Sequence, residues 1–154
     1  MNAVEAPVII RAAVSSDIDA LTSLLQILFS IEDDFVFNEI YQRRGLQMMI
    51  DFKQACILVA EVNGRVVGMC SGQLTLSTAE GGPALLVEDM VVREEYRGKG
   101  IGSRLMEEIA RWGQKKDANR LQLLADRNNS SALEFYKKTG WRVTGLICMR
   151  KRNT

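Results

Sequence analysis

The stretch Val87-Glu88-Asp89-Met90-Val91-Val92-Arg93-Glu94-Glu95-Tyr96-Arg97-Gly98-Lys99-Gly100-Ile101-Gly102-Ser103 reads as a buried strand, a short polar bend and a run of alternating glycines that opens a helix. Ile101, Leu105, Ile109 and Trp112 recur at helical spacing, while Arg104, Glu107, Glu108 and Arg111 fill the other positions. On the upstream side, Leu85 to Val92 is apolar on both alternating faces apart from Glu88 and Asp89, as in a central strand covered from both sides. Glycines at 98, 100 and 102 remove side chains where the backbone turns into the helix, so N–H groups can converge on one anion at the positive helix end. The pattern is that of a phosphate cradle, preceded by two acids in costly apolar surroundings.

A chain of 154 residues, 47% hydrophobic and 25% charged, is expected to form a single domain over residues 1–154 with a real core. Its formal net charge of +1 creates no field that would draw it to nucleic acid or to an anionic membrane, so neither is expected as a partner. Histidine is absent, which removes Ser-His-Asp and Cys-His machinery. No metal is expected, because Cys56, Cys70 and Cys148 are too scattered to form a site. Each lies in an apolar strand-like run and is read as a reduced core thiol. No basic segment followed by an apolar one opens the sequence and no apolar run is long enough to span a membrane, so the expectation is a cytoplasmic protein.

In chain order, Val8 to Arg11 has strand composition, and Ser16 to Asp19 resembles a capping box for a helix with Ile18, Leu21, Leu25 and Leu28 on one face. An acidic then aromatic corner, Ile31 to Phe37, leads to a second helix from about Asn38 to Lys53. Ala55 to Val62 and Arg65 to Ser77 are strands joined by Asn63-Gly64, a hairpin signal. After the glycine bend and its helix, Arg120 to Ala125 reads as a strand, Asn129 to Thr139 as a helix and Trp141 to Arg150 as a last strand following Gly140. Hairpins in the first half and strand-helix-strand crossovers in the second predict a mixed α/β sheet with helices on both faces.

The bend is neither a P-loop, which needs Gly-x-x-x-x-Gly-Lys-Ser/Thr, nor a dinucleotide fingerprint, since Ser103 holds the third glycine position after a meander. Arg97-Gly98-Lys99-Gly100-Ile101-Gly102 instead resembles the Arg/Gln-x-x-Gly-x-Gly/Ala motif of the GCN5-related N-acetyltransferases. Asn129 to Trp141 is similar to that family's Asn-x-x-Ala-x-x-x-Tyr-x-x-x-Gly-aromatic segment, so residues 85 to 141 match closely. The lead-in Leu86 to Val92 further resembles spermidine/spermine and other diamine N-acetyltransferases.

The resemblance implies a six- to seven-stranded mixed sheet splayed between its fourth and fifth strands. It also implies acetyl-CoA as the acetyl donor, and direct transfer to a primary amine in a ternary complex. Met90, Val91 and Val92 would offer backbone hydrogen bonds to the pantetheine arm, and Arg97, Gly98, Lys99, Gly100, Ile101, Gly102 and Ser103 would hold the pyrophosphate. Pairing an extended ligand against a strand edge satisfies groups that a splayed sheet leaves open. Asn129 would contact the cofactor, with helix capping as its plain alternative.

Acetyl transfer needs a neutral amine, a polarised carbonyl and a protonated leaving thiolate. An amine with a pKa of about 10.4 is mostly charged at neutral pH, so a carboxylate must receive its proton. Glu88 occupies the place of the glutamate proposed as base in the polyamine enzymes, with a structural acid as the alternative, while strand alternation puts Asp89 on the opposite face. A strand N–H near Met90 would serve the oxyanion. Tyr136 matches the tyrosine that protonates the thiolate, its alternative being packing beside Phe135.

Glu32, Asp33 and Asp34 precede Phe35 and Phe37 in the segment that borders the acceptor site in this family, which points to a small, multiply cationic amine; a solvated helix corner is the other reading. A protein N-terminus, a lysine, an amino acid or an antibiotic amine remain open as acceptors, as does an acetyl-CoA-binding module without turnover. Family members are often dimers, and a final edge strand at Arg142 to Met149 would need cover, so a homodimer is expected.

Overall fold

The computed structural model describes residues 5–153, in two compact units, one reaching to Leu123 and one beginning at Leu124. In the first unit, β1 (Val8–Ala12) leads through a short 3-10 turn to α1 (Ile18–Ile31) and α2 (Glu39–Asp51). Three strands follow: β2 (Ala55–Val62), β3 (Arg65–Ser77) and β4 (Gly82–Val92). After the bend come α3 (Ile101–Lys115) and β5 (Leu121–Leu123). Among the described residues the sheet has five strands in sequence order, antiparallel except for the parallel β4–β5 pair.

Local chemistry sets most of these elements. Asn63 and Gly64 adopt φ of 50° and 75°, so the β2–β3 turn carries the twist that a hairpin needs. The Asn38 side chain accepts from the Tyr41 N–H and caps α2. The expected capping box at Ser16 does not form. The Asp17 carboxylate instead accepts from Arg11 and from the Val14 N–H, which ties β1 to the start of α1.

The core lies on both faces of the sheet. On one, Leu21, Leu24 and Leu25 of α1 and Leu46 of α2 cluster with Ile57, Val59, Met69 and Val91. On the other, Ile101, Leu105 and Ile109 of α3 are at most 2% exposed, each burial being worth about 1.5–3 kcal/mol. The α3 helix sits close because Gly72 and Gly113 flank Leu85: a Cβ on either would come within 2.9 Å and 2.8 Å of its methyl carbons.

Three further expectations need correction. The last strand, Trp141 to Arg150, is absent among the described residues, so the sheet has five strands instead of six or seven. A strand is defined by its ladder, and strand-like composition cannot make one where no partner is paired. Arg120 to Ala125 shortens to three residues for the same reason. Cys148 is exposed, whereas Cys56 and Cys70 are buried as expected, and burial pushes the Cys56 thiol up to about 11.

The second unit holds α4 (Ser130–Lys138), ended by Gly140 at φ 96°. Among the described residues no helix is long and apolar enough to cross a membrane.

Candidate functional site

The β4 strand is where the sheet opens. Its parallel ladder with β5 runs only from Leu85↔Leu121 to Val87↔Leu123, and β4 then continues for Glu88 to Val92 beyond the last paired residue. This stretch also carries a bulge. Ser71 pairs with Glu88 and Met69 with Val91, so Asp89 and Met90 together oppose Cys70, and Asp89 takes φ 53°. Aspartate is among the few residues other than glycine that tolerate this region.

The bulge changes which way side chains point. Before it, Leu85 packs on α3 against Gly113; after it, Val91 joins the α1–α2 cluster, and Val92 lies beside Gly68 and Leu105 on the α3 face. Ser71 is on the α1–α2 side with Met69, two residues away, and Glu88 lies directly opposite Ser71. The Ser71 hydroxyl reaches the Glu88 carbonyl at 3.1 Å and Asp89 Oδ2 at 3.3 Å. Glu88 and Asp89 therefore share one face, against the alternation expected from the sequence. Glu88 is exposed and Asp89 half-buried. Burial pushes the Asp89 carboxyl up to about 6, reinforced by the charges of Glu88 and Glu32 and opposed by the Ser71 hydrogen bond.

The bend that follows is braced before it turns. Arg97 Nε donates to the Val92 carbonyl at 2.8 Å, the Arg93 N–H donates to Val67, and a 3-10 turn spans Glu94–Tyr96. The Val92 carbonyl is thus occupied within the chain. Gly98 and Gly100 adopt φ of 75° and 79°, and among the described residues no atom beyond the adjoining ones lies within 4 Å of a Cβ built on either. Gly100 is the N-cap of α3 and supplies no side-chain cap, so the first-turn N–H groups of Ile101, Gly102 and Ser103 have no intrahelical acceptor. Open space, converging donors and the positive helix end fit a pyrophosphate, and the free stretch of β4 fits an amide-bearing arm. The side chains of Val91 and Ile101 are core, so only their backbone can contribute. Lys99 is exposed, its ammonium 6.0 Å from the Tyr96 ring centre.

Glu32, Asp33 and Asp34 form the α1–α2 corner, with Glu32 half-buried and the other two exposed. The influence of Glu32 on Asp89 links this corner electrostatically to β4. In the second unit, the Asn129 side chain accepts from the Ala132 N–H at 3.2 Å and caps α4. Tyr136 lies edge-on to Phe135 and Trp141, with ring centres 5.4 Å and 6.1 Å away. The residue that sequence reasoning set aside is Asp89. Its signal was the break in alternation: two adjacent acids inside an otherwise apolar strand mark a site where the pleat changes phase.

Comparison with known proteins bears on the family and the fold. An uncharacterized N-acetyltransferase of Methanocaldococcus jannaschii is 30% identical over 99 residues, which is 61% of this chain and 44% of that protein. A putative ribosomal protein bS18-alanine N-acetyltransferase of Bacillus subtilis is 28% identical over 98 residues, 64% of this chain and 61% of that protein. The chain thus spans about half the length of these curated relatives. Among solved structures, aminoglycoside N-acetyltransferase AAC(6')-Iy in complex with CoA shares the fold, with a TM-score of 0.86 at 13% identity over 100% of both chains. The profile of the Acetyltransferase (GNAT) family matches residues 21–141, and the chain belongs to that family.

Proposed function

We propose that this protein transfers the acetyl group of acetyl-CoA directly to a primary amine of a small, multiply cationic acceptor. The observation that carries the reading is the continuity of β4 with the α3 N-terminus: its β5-side edge is unpaired after Val87, and a glycine N-cap with no side-chain cap then opens a helix whose first-turn N–H groups at residues 101 to 103 have no intrahelical acceptor. An extended donor can bond along the first and place its phosphates at the second. Met90, in the bulge, is the candidate backbone donor to the carbonyl oxygen as charge develops there. A carboxylate of the Glu88–Asp89 pair accepts the ammonium proton, and Tyr136 gives its phenolic proton to the departing sulfur. Asn129 adds a cofactor contact beside its capping role.

The acceptor class rests on charge. Glu88 and Glu32 both raise the proton affinity of the Asp89 carboxyl, and an ammonium of the acceptor offsets that repulsion. Relatives whose names specify an amine point the same way, among them a thialysine N-epsilon-acetyltransferase of Bos taurus, 36% identical over 59 residues, and a streptothricin acetyltransferase of Streptomyces lavendulae, 32% identical over 79. We further propose a cytoplasmic homodimer, as members of this family often are.

The test is release of free thiol from acetyl-CoA in the presence of diamines, polyamines, aminoglycosides, amino acids and an alanine-initiated peptide. Diamines and polyamines should show lower KM than uncharged amines of equal length, and neutralising Glu32 to Asp34 should raise KM with little change in kcat. Good turnover of a neutral or anionic amino acid with none of any polyamine would refute the acceptor class. Acetyl-CoA binding without thiol release on any amine would refute catalysis.

A further inference from the structure

Adjacent residues of a regular strand point to opposite faces, yet the bulge turns the Glu88 and Asp89 carboxylates to the same one, where they meet different surroundings. Glu88 is exposed. Asp89 is half-buried, held at φ 53°, and reached by the hydroxyl of Ser71, which is 1% exposed. That single hydroxyl proton is shared with the Glu88 carbonyl, so the Asp89 carboxylate is only partly satisfied. The charged groups acting on it are Glu88 on its own strand and Glu32 at the end of α1, while its own charge helps to keep the buried Cys70 thiol on β3 protonated; among the described residues no lysine or arginine forms an ion pair with it.

We infer that Asp89 is the group that takes the proton from the acceptor ammonium, with Ser71 as its positioning residue, while the exposed Glu88 beside it helps to bind the cationic acceptor. The inference rests on the chain acetylating an amine. Two carboxylates in different environments divide the labour in this way, the withdrawn one serving proton transfer and the exposed one serving attraction. The step balances. The ammonium gives one proton to Asp89 and becomes a neutral amine, whose nitrogen bonds to the acetyl carbon as the C–S bond breaks. The electron pair leaves on sulfur, the second N–H proton lost in forming the amide ends there as the thiol, and Asp89 returns its proton to solvent. Asp89 must be ionised to act, so activity falls as pH drops through about 6.

Carbon-13 carboxyl NMR of the full chain with labelled aspartate reads this group without any substrate. One resonance, missing in Asp89→Asn, should titrate near 6, and in Ser71→Ala its midpoint should move to higher pH, because the hydroxyl favours the ionised form. A midpoint in the usual range of about 4 overturns the assignment. With 1,4-diaminobutane as acceptor, kcat/KM of the wild type should show an acidic limb at the NMR midpoint, and Ser71→Ala should shift both together. Asp89→Asn should lose roughly 100- to 10,000-fold, whereas Glu88→Gln should raise KM and keep the limb. An Asp89→Asn protein with the wild-type rate, or a limb lost in Glu88→Gln instead, transfers the role to Glu88. A wild type that binds acetyl-CoA and acetylates no amine removes the proton-accepting role whatever the NMR midpoint. A normal midpoint in an active enzyme removes the Asp89 assignment alone.

Discussion

Asp17 and Asp89 are both carboxylates withdrawn from water beside the same sheet, and their surroundings push them in opposite directions. Asp17 receives two hydrogen bonds from Arg11, at 2.8 and 2.9 Å, and one from the Val14 N–H at 2.8 Å, while Arg11 Nε also reaches Glu61. The Arg11 hydrogen bonds hold the Asp17 carboxyl below its ordinary range despite burial. Asp89 has one shared hydroxyl and acids for neighbours, and it is raised. The first arrangement closes the β1 end of the molecule and leaves nothing for a ligand to satisfy. The second leaves a partly satisfied carboxylate on the stretch of β4 that continues beyond its ladder with β5, which is how proton-transfer sites differ from structural ion pairs.

The sharpest way to break this contrast is to remove the closed arrangement. Asp17→Ala leaves the Arg11 guanidinium and the Val14 N–H without their acceptor and should cost about 2–4 kcal/mol in urea unfolding, with thiol release per folded molecule unchanged. On the open side, Gly100→Val forces a β-branched residue to φ 79° and puts its side chain into the space left at the α3 N-terminus. Acetyl-CoA affinity should fall about 30-fold or more, roughly 2 kcal/mol, by calorimetry on the folded variant. Wild-type affinity there would dismiss the cradle.

The two aspartates should also leave opposite marks on stability against pH. A raised carboxyl destabilises the fold above its folded pKa of about 6, and the penalty fades as pH falls toward the unfolded value of about 4. Asp89→Asn should therefore be more stable than wild type by ~1–3 kcal/mol at a pH of about 8 and no more stable near 4, in paired thermal melts. Asp17, depressed in the folded state, contributes stability above about 4 that is lost as pH falls further, so its alanine variant should converge on wild type only in that acid range. The smallest effect expected is at Arg97. Losing its bond to the Val92 carbonyl in Arg97→Ala should raise KM for acetyl-CoA a few-fold, by roughly 0.5–1.5 kcal/mol, with kcat little changed.

Much of this contrast could not be read ahead. The Asn63-Gly64 turn, the bounds of β2 and β3 and the glycine bend into α3 follow from local residue chemistry, and the structure places them as expected. Ser16 misled because a capping pattern competes with whatever else is near, and here Arg11 captured Asp17 instead. The run from Arg142 to Met149 misled because its composition suits a strand and strand composition states no partner.

The sequence by itself determined the elements whose causes lie within a few residues: the helical period of α3, the hairpin, the positive-φ glycines and the residue types that mark the family. Only the tertiary structure decided which face Asp89 takes and where β4 loses its partner. Both depend on register against β3 and β5, and a bulge of one residue there reverses every side chain beyond it. Proton affinity then follows from position, because Asp17 and Asp89 are the same residue type and only the neighbours brought by the fold tell them apart.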